Sequence, residues 1–110
     1  VSGGRAPAAD LPGFGDVVAA LGRLSGRLAP TPVVTSPGFD ALCGRRVFLK
    51  CENLQFGGAF KYRGALNALL QLPPEAVGLP VATHSSGNHG TALALAAHAL
   101  GMRCHVVIPE

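Results

Sequence analysis

Residues 57–64 read Gly-Gly-Ala-Phe-Lys-Tyr-Arg-Gly, a glycine-rich turn that leads one lysine, Lys61, into an apolar helix. A β-type run precedes the turn at residues 46–51, and residues 65–70 carry apolar side chains at helical spacing. At a helix start, backbone N–H groups and the positive end of the helix dipole disfavour the ammonium form of a lysine. The pattern therefore predicts an amine nucleophile at Lys61, against the alternative of an ordinary solvated lysine.

A second polar segment follows the next predicted strand. Residues 83–90 read Thr-His-Ser-Ser-Gly-Asn-His-Gly, and in an open parallel sheet such a loop lies at the carboxyl end of a strand, where ligands bind. Helix N-terminal N–H groups favour an anionic partner there. Asn88 brings an amide, and Ser86 brings a hydroxyl that can give or take a proton. The alternative is that Ser85 or Ser86 only caps the helix.

Strands and helices alternate along most of the chain. The predicted elements are a helix over 14–28, a strand over 33–35, a short helix ending near 44, a strand over 46–51, a helix from the lysine turn to about 72, a strand over 79–84, a helix over 87–100 and a strand over 104–108. This order predicts an α/β fold with a parallel, doubly wound, three-layer sheet. Residues 1–12 are predicted to be flexible, and Pro73-Pro74 marks a predicted boundary between structural units.

Composition excludes several classes of partner. The chain has 110 residues, 48% of them hydrophobic and 14% charged, which is enough for a core. A net charge of +3 with one Tyr and no Trp disfavours nucleic-acid binding. The apolar run at 92–100 is too short to cross a membrane. Three cysteines without C-x-x-C spacing favour a reduced, cytoplasmic setting, and the histidine spacing predicts no metal site.

Three segments together resemble a known family. Lys50-Cys51-Glu52-Asn53-Leu54-Gln55, then Gly58-Ala59-Phe60-Lys61-Tyr62-Arg63-Gly64-Ala65, then Ser85-Ser86-Gly87-Asn88-His89-Gly90 resemble the serine racemase and serine/threonine dehydratase family of fold type II pyridoxal-phosphate enzymes, nearest its racemase members. The resemblance implies a partial fold type II enzyme. It assigns residues 13–73 to the N-terminal part of the large cofactor-binding domain and residues 74–110 to the incomplete start of the small domain.

The same resemblance assigns roles to individual residues. It implies that Lys61 forms the Schiff base with pyridoxal 5'-phosphate, that Phe60 walls the cofactor and that Asn88 hydrogen-bonds the ring hydroxyl. Ser86 is expected on the substrate face opposite Lys61, as an acid/base. The loop expected to bind the substrate consists of Ser85, Ser86, Gly87, Asn88 and His89. Glu52 and Asn53 are expected to support the turn, and Arg63 is compatible with anchoring the turn or with facing solvent.

The resemblance implies racemisation, β-elimination or both, on serine-like amino acids. Dehydratases of the family commonly have Ala where Ser86 stands, which favours racemisation with elimination alongside. A threonine or hydroxyaspartate dehydratase is the alternative within the same chemistry. A truncated, non-catalytic relative that acts as a binding module is the alternative of another class.

The chain departs from the family pattern and lacks parts of it. Ala59 replaces a more usual serine, Thr91 replaces a more usual glutamine, and Phe56-Gly57 stands where racemases have a polar pair. The last two departures argue against the nucleotide effector site that the resemblance to mammalian-type racemases would imply. In the family, the phosphate-binding loop, the partner of the pyridine nitrogen and the divalent-cation site lie beyond residue 110. We therefore expect the 110 residues alone to be inactive, and the full-length protein to be a homodimer that binds a small amino acid, with no nucleic-acid or membrane partner.

Overall fold

A computed structural model describes residues 11–110. Four helices and four strands follow one another along this range: α1 (Phe14–Leu24), β1 (Val33–Val34), α2 (Pro37–Cys43), β2 (Leu49–Lys50), α3 (Lys61–Leu69), β3 (Val81–His84), α4 (Asn88–Ala99) and β4 (Cys104–Val107). Short 3₁₀ turns lie at Glu52–Leu54, Phe56–Gly58 and Pro74–Ala76. The predicted order of helices and strands is confirmed, with most elements shorter than predicted.

The strands form two separate pairs. β3 and β4 are parallel, in a register that runs from Val81 opposite Cys104 to His84 opposite Val107, and α4 is the crossover between them. β1 and β2 are antiparallel, with Val33 opposite Lys50. The strand predicted over 46–51 is thus limited to two residues, and it pairs with β1 instead of joining the parallel pair. The backbone N–H of Cys51 extends this antiparallel pairing by donating to Pro32 O at 2.9 Å.

Helix ends are set by local backbone chemistry. α1 stops at Leu24, before the predicted end at residue 28, because Gly26 adopts a left-handed backbone with φ +70° that cannot continue the helix. Gly44 and Gly101 have φ of +64° and +69° and follow α2 and α4 in the same way. The glycines therefore determine where three of the helices end.

The core lies where α3 packs against α4. α3 contributes Tyr62, Ala65, Leu66 and Leu69, α1 adds Leu24, and α4 contributes Ala92, Leu93, Ala96 and Ala97. Ala96 and Ala97 are completely buried, and their small side chains allow the two helices to approach closely. Core residues lie on both sides of Pro73-Pro74; the domain boundary placed there remains a prediction.

Three further sequence predictions concern the N-terminus, a membrane span and a metal site. The segment predicted to be flexible, residues 1–12, lies outside the described range except for Leu11 and Pro12. Within residues 11–110, no helix has the length and apolar character that a membrane span requires. The same range contains no cluster of three or more His, Cys, Asp or Glu side chains arranged to hold a metal ion.

Candidate active site

Lys61 is the first residue of α3 and is exposed. The turn before it contains two consecutive glycines, Gly57 and Gly58, with φ of +72° and +71°. This left-handed conformation is costly for residues with a side chain, so the glycines allow the sharp turn that brings Lys61 to the helix start. The predicted position of the lysine at a glycine turn and a helix N-terminus is confirmed.

Buried side chains flank Phe60 and Lys61, so that these two residues project outward. Ala59 and Tyr62 are buried, and the Tyr62 ring meets Phe56 edge to face at 5.3 Å between ring centres. Phe60 is 61% exposed, and the Lys61 Nζ lies 5.5 Å from the centre of its ring. Tyr62 therefore anchors the turn in the core, while an aromatic ring and an amine project side by side from its outer surface.

The loop between β3 and α4 also has an exposed surface. Ser86, Gly87, Asn88 and His89 are exposed and Ser85 is half-buried. The N-cap of α4 is Gly87, without a side-chain cap, and the Ser85 hydroxyl accepts a hydrogen bond from the Gly87 N–H at 3.2 Å. Neither serine therefore caps the helix in the way that the alternative interpretation requires. The first N–H groups of α4 lack a side-chain acceptor among the described residues, which suits an anionic ligand.

Gly90 holds this loop against its helix and strand. A Cβ on Gly90 would come within 2.9 Å of both the Ser85 carbonyl oxygen and Val106 Cγ1. The Ser85 N–H also donates to Val107 O at 3.0 Å, which continues the ladder between the parallel strands. Only a residue without a side chain lets the loop lie this close to α4.

The lysine turn packs on α4, the helix that follows the serine loop. A Cβ on Gly57 would lie 3.0 Å from Leu95 Cδ1 and 3.6 Å from Thr91 Cγ2, so the lysine turn packs directly on this helix. Asn88, Thr91 and Leu95 stand at i, i+3 and i+7 and share one helix face. The lysine turn thus contacts α4 on the face that carries Asn88, one turn further along the helix.

A cavity of about 290 Å³ lies at the serine loop and reaches Thr91 of α4. It is lined by Ser85, Ser86, Gly87, Gly90, Thr91, Ala94, Val106 and Ile108. Lys61, Phe60, Asn88 and His89 are not part of its lining. A larger apolar groove of about 490 Å³, between Phe56, Tyr62 and Leu95, contains none of the predicted site residues.

The partner of Arg63 near the turn could not be assigned from the sequence. Arg63 donates from Nε to Glu52 Oε2 and from Nη2 to Glu52 Oε1, both at 2.7 Å. Thr31 donates to Glu52 Oε1 at 2.6 Å. Because the Arg63 and Thr31 hydrogen bonds stabilise the carboxylate, the pKa of Glu52 falls from 4.5 to about 2. Arg63 thus anchors the turn, which was one of the two roles compatible with its position in the sequence.

Comparison with known proteins identifies the family. Residues 24–110 match the family described as pyridoxal-phosphate dependent enzymes, and this chain belongs to it. Its structural neighbours include fold type II members of that family. The α/β class and the fold type predicted from the sequence are confirmed.

The individual relatives include racemases and dehydratases. The chain is 52% identical to the serine racemase of Arabidopsis thaliana over 80 residues, which cover 73% of this chain and 24% of that protein. It is 44% identical to the β-hydroxyaspartate dehydratase of Paracoccus denitrificans over 100 residues, covering 91% of this chain and 32% of that one. The structure of maize serine racemase superposes with a TM-score of 0.82 at 45% identity, covering 87% of this chain and 30% of that chain. The chain thus spans between a quarter and a third of these relatives.

Replacing Gly90 with Ala tests the packing of the serine loop. The added methyl group would collide with a backbone oxygen that cannot rotate away, so we expect Gly90→Ala to lower the free energy of unfolding by about 1–3 kcal/mol. Gly22 in α1 has no atom within 4 Å of an added Cβ, and Gly22→Ala should stabilise by about 0.5–1 kcal/mol. Denaturant unfolding measures both; equal stabilities would contradict the close approach.

Acid sensitivity tests the Glu52 interactions. The pKa of Glu52 is about 2 in the folded protein and 4.5 in the unfolded chain. Between these two pH values, Glu52 therefore binds more protons in the unfolded chain than in the folded protein. The stability contributed by Glu52 is therefore complete above pH 4.5 and is lost as the pH falls toward 2. Thermal unfolding should show a weaker dependence on pH across this window in Glu52→Gln. Exposed Glu75 is the matched control: Glu75→Gln should keep the original acid dependence, and identical curves for all three proteins would contradict the assignment.

Proposed function

We propose that the protein containing this chain catalyses pyridoxal-phosphate-dependent racemisation, β-elimination or both, on serine-like amino acids. The observation that carries this proposal is the packing of the Lys61 turn on the Asn88 face of α4, through Gly57 and Thr91. It supports a site in which the substrate lies between the amine-bearing turn and the serine loop. The serine racemases and the hydroxyaspartate dehydratase among the relatives support the same chemistry.

The side chains present suit the aldehyde end of the cofactor. Lys61 offers an exposed primary amine, Phe60 an exposed aromatic ring beside it, and Asn88 an exposed amide at the start of α4. These groups can bond covalently, pack against a ring and hydrogen-bond a ring hydroxyl. Bound pyridoxal phosphate supplies a conjugated ring that stabilises negative charge at the substrate α-carbon.

The chain's own residues then handle the protons. The Lys61 amine accepts the α-proton from one face of the substrate. In racemisation, the Ser86 hydroxyl donates a proton to the opposite face, so the configuration inverts. In elimination, the β-hydroxyl leaves with a proton as water, and the dehydrated product then takes up one water to give a keto acid and ammonia. The substrate carboxylate binds to the N–H groups at the start of α4, in the loop formed by Ser85, Ser86, Gly87, Asn88 and His89.

A dehydratase specific for threonine or hydroxyaspartate is the second candidate. The 44% identity to the Paracoccus dehydratase favours it, and the same Lys61 chemistry would serve it. For the full-length protein we further propose a homodimer in the cytoplasm. Cys43, Cys51 and Cys104, which are free in the structure, support a reducing environment. A divalent cation, if the protein uses one, would bind outside this chain.

Covalent trapping tests the role of Lys61. Borohydride treatment of the cofactor-loaded protein should attach the cofactor irreversibly to Lys61, detected by peptide mass spectrometry. Lys50 is the other lysine of the chain and is the internal control, which should stay unmodified. Lys61→Arg should abolish the attachment. A wild-type protein without cofactor on Lys61 would support the non-catalytic binding module instead.

Replacing Ser86 separates the racemase from the dehydratase. Ser86→Ala removes the proposed proton donor, so we expect racemisation of serine to fall by about 10²–10⁴-fold, while elimination persists. The neighbouring variant Ser85→Ala removes the hydroxyl that accepts from the Gly87 N–H, and should lower both reactions together. Chiral chromatography and keto-acid release measure the two rates. Racemisation that is unchanged in Ser86→Ala would overturn the assignment.

A further inference from the structure

Arg63 joins the two sides of the lysine turn. It stands in the first turn of α3, two residues after Lys61. Its guanidinium donates a hydrogen bond of 2.7 Å to each carboxylate oxygen of Glu52. Glu52 lies before the Gly57-Gly58 turn and Arg63 lies after it. The ion pair therefore closes a loop around the turn. Its two-point geometry fixes the orientation of the guanidinium as well as its distance, which a single contact would not do.

Thr31 attaches this ion pair to a third segment. Its hydroxyl donates to Glu52 Oε1 at 2.6 Å and accepts from Arg63 Nη2 at 3.3 Å, and its backbone oxygen accepts from Lys50 Nζ at 2.6 Å. Thr31 is 8% exposed and the Glu52 side chain 18% exposed. These contacts are partly shielded from water, where hydrogen bonds to charged groups are stronger than at an open surface.

Gln55 provides a second attachment to the same segment. Its side-chain amide accepts from the Ala29 N–H and donates to the Ala29 oxygen, both at 3.0 Å, and also accepts from the Phe56 N–H at 3.1 Å. Gln55 is 4% exposed. Residues 52–55 are thus held to residues 29–31 at two points. Arg63 restrains the other end of the turn, where it joins α3.

Lys61 itself has no such attachment. Its side chain forms no hydrogen bond or ion pair with residues 11–110, and it contacts the Phe60 ring. The position of its amine consequently depends on where the backbone of the first turn of α3 lies. Arg63 belongs to that turn and is the residue that ties it to Glu52.

We infer that Arg63 is a positioning residue for Lys61: by holding Glu52 and Thr31, it fixes the first turn of α3 so that the amine reaches the substrate over the serine loop. This inference rests on the proposed function of Lys61. Arg63 does not touch the reacting atoms. Its loss should therefore lower the rate of the chemical step and leave substrate binding to the α4 loop largely unchanged.

The experiment compares Arg63→Met and Arg63→Lys with wild type in the full-length, cofactor-loaded protein. Misplacing a catalytic group by about 1 Å can cost 10²-fold, so we expect kcat for serine to fall by about that factor in Arg63→Met with KM changed less than threefold. Arg63→Lys keeps the positive charge but cannot make the two-point contact with the Glu52 carboxylate. Its kcat should therefore lie between those of Arg63→Met and wild type. In cofactor-free protein, the backbone amides of residues 56–63 should exchange hydrogen faster than in wild type, most in Arg63→Met and less in Arg63→Lys.

Arg23 of α1 offers a matched control, because it also contacts α3. It donates from Nε to Asn67 Oδ1 of α3 at 2.8 Å, away from the lysine turn. Arg23→Met also removes an arginine contact to α3 and should leave kcat within about twofold of wild type. Equal losses in Arg23→Met and Arg63→Met would assign Arg63 a general stabilising role and overturn the inference.

Other outcomes separate this inference from the proposed function. If wild type traps the cofactor on Lys61 and Arg63→Met retains full kcat, the positioning role is wrong while the function stands. If the wild-type protein traps no cofactor on Lys61, the proposed function is wrong, and the positioning role that rests on it is rejected with it. Should Arg63→Met not fold, Thr31→Val removes one hydroxyl with little change of shape, and it should lower kcat without raising KM; an unchanged kcat there and in Arg63→Lys would reject the inference.

Discussion

Gly57 lies against α4 so closely that a single methyl group on its Cα would come within 3.0 Å of Leu95 and 3.6 Å of Thr91. This contact joins two segments that are separated in the chain by a helix and a strand. A larger residue at position 57 would push the lysine turn away from α4, and a left-handed backbone at φ +72° would penalise that residue in any case. Both steric constraints select glycine where the two halves of the candidate site meet.

The two halves are held in place by different forces. On the lysine side, a carboxylate, a guanidinium and a hydroxyl form a charged network around Glu52, and the buried Gln55 amide adds neutral hydrogen bonds. On the serine side, the backbone of Ser85 pairs with β4 and packs on Gly90. Among residues 11–110, no side chain caps the N–H groups at the start of α4. Such a division suits a site in which one side supplies a reactive amine and the other binds an anion.

Positions at which the chain departs from the family pattern are neighbours in space. Gly57 contacts Thr91, and Phe56 packs edge to face on Tyr62. Leu95 completes an apolar contact at this junction. The chain presents the Thr91 methyl group, Leu95 and the Phe56 ring at this junction. The lysine turn and α4 are thus joined by apolar packing.

Several features were predictable because they depend on neighbouring residues. The spacing of apolar side chains predicts α3 and α4, glycines with left-handed backbones account for the ends of α2 and α4, and the positions of Lys61 and Asn88 at helix starts follow from these elements. The two polar motifs were likewise visible in the sequence, and their order indicated the family. Such properties are local, so the order of residues is sufficient to determine them.

Other features required the tertiary structure. The antiparallel pairing of β1 with β2, the contact of Gly57 with Thr91, and the choice of Glu52 as the partner of Arg63 all join residues brought together by the path of the chain. No periodicity records such pairings, because they depend on how turns and packed helices orient whole segments. The amino-acid sequence by itself determined the local structures that hold the two polar motifs, and it predicted which residues would carry the chemistry. Only the tertiary structure decided which of them meet, because close packing and hydrogen-bond geometry act between segments that are distant in the chain.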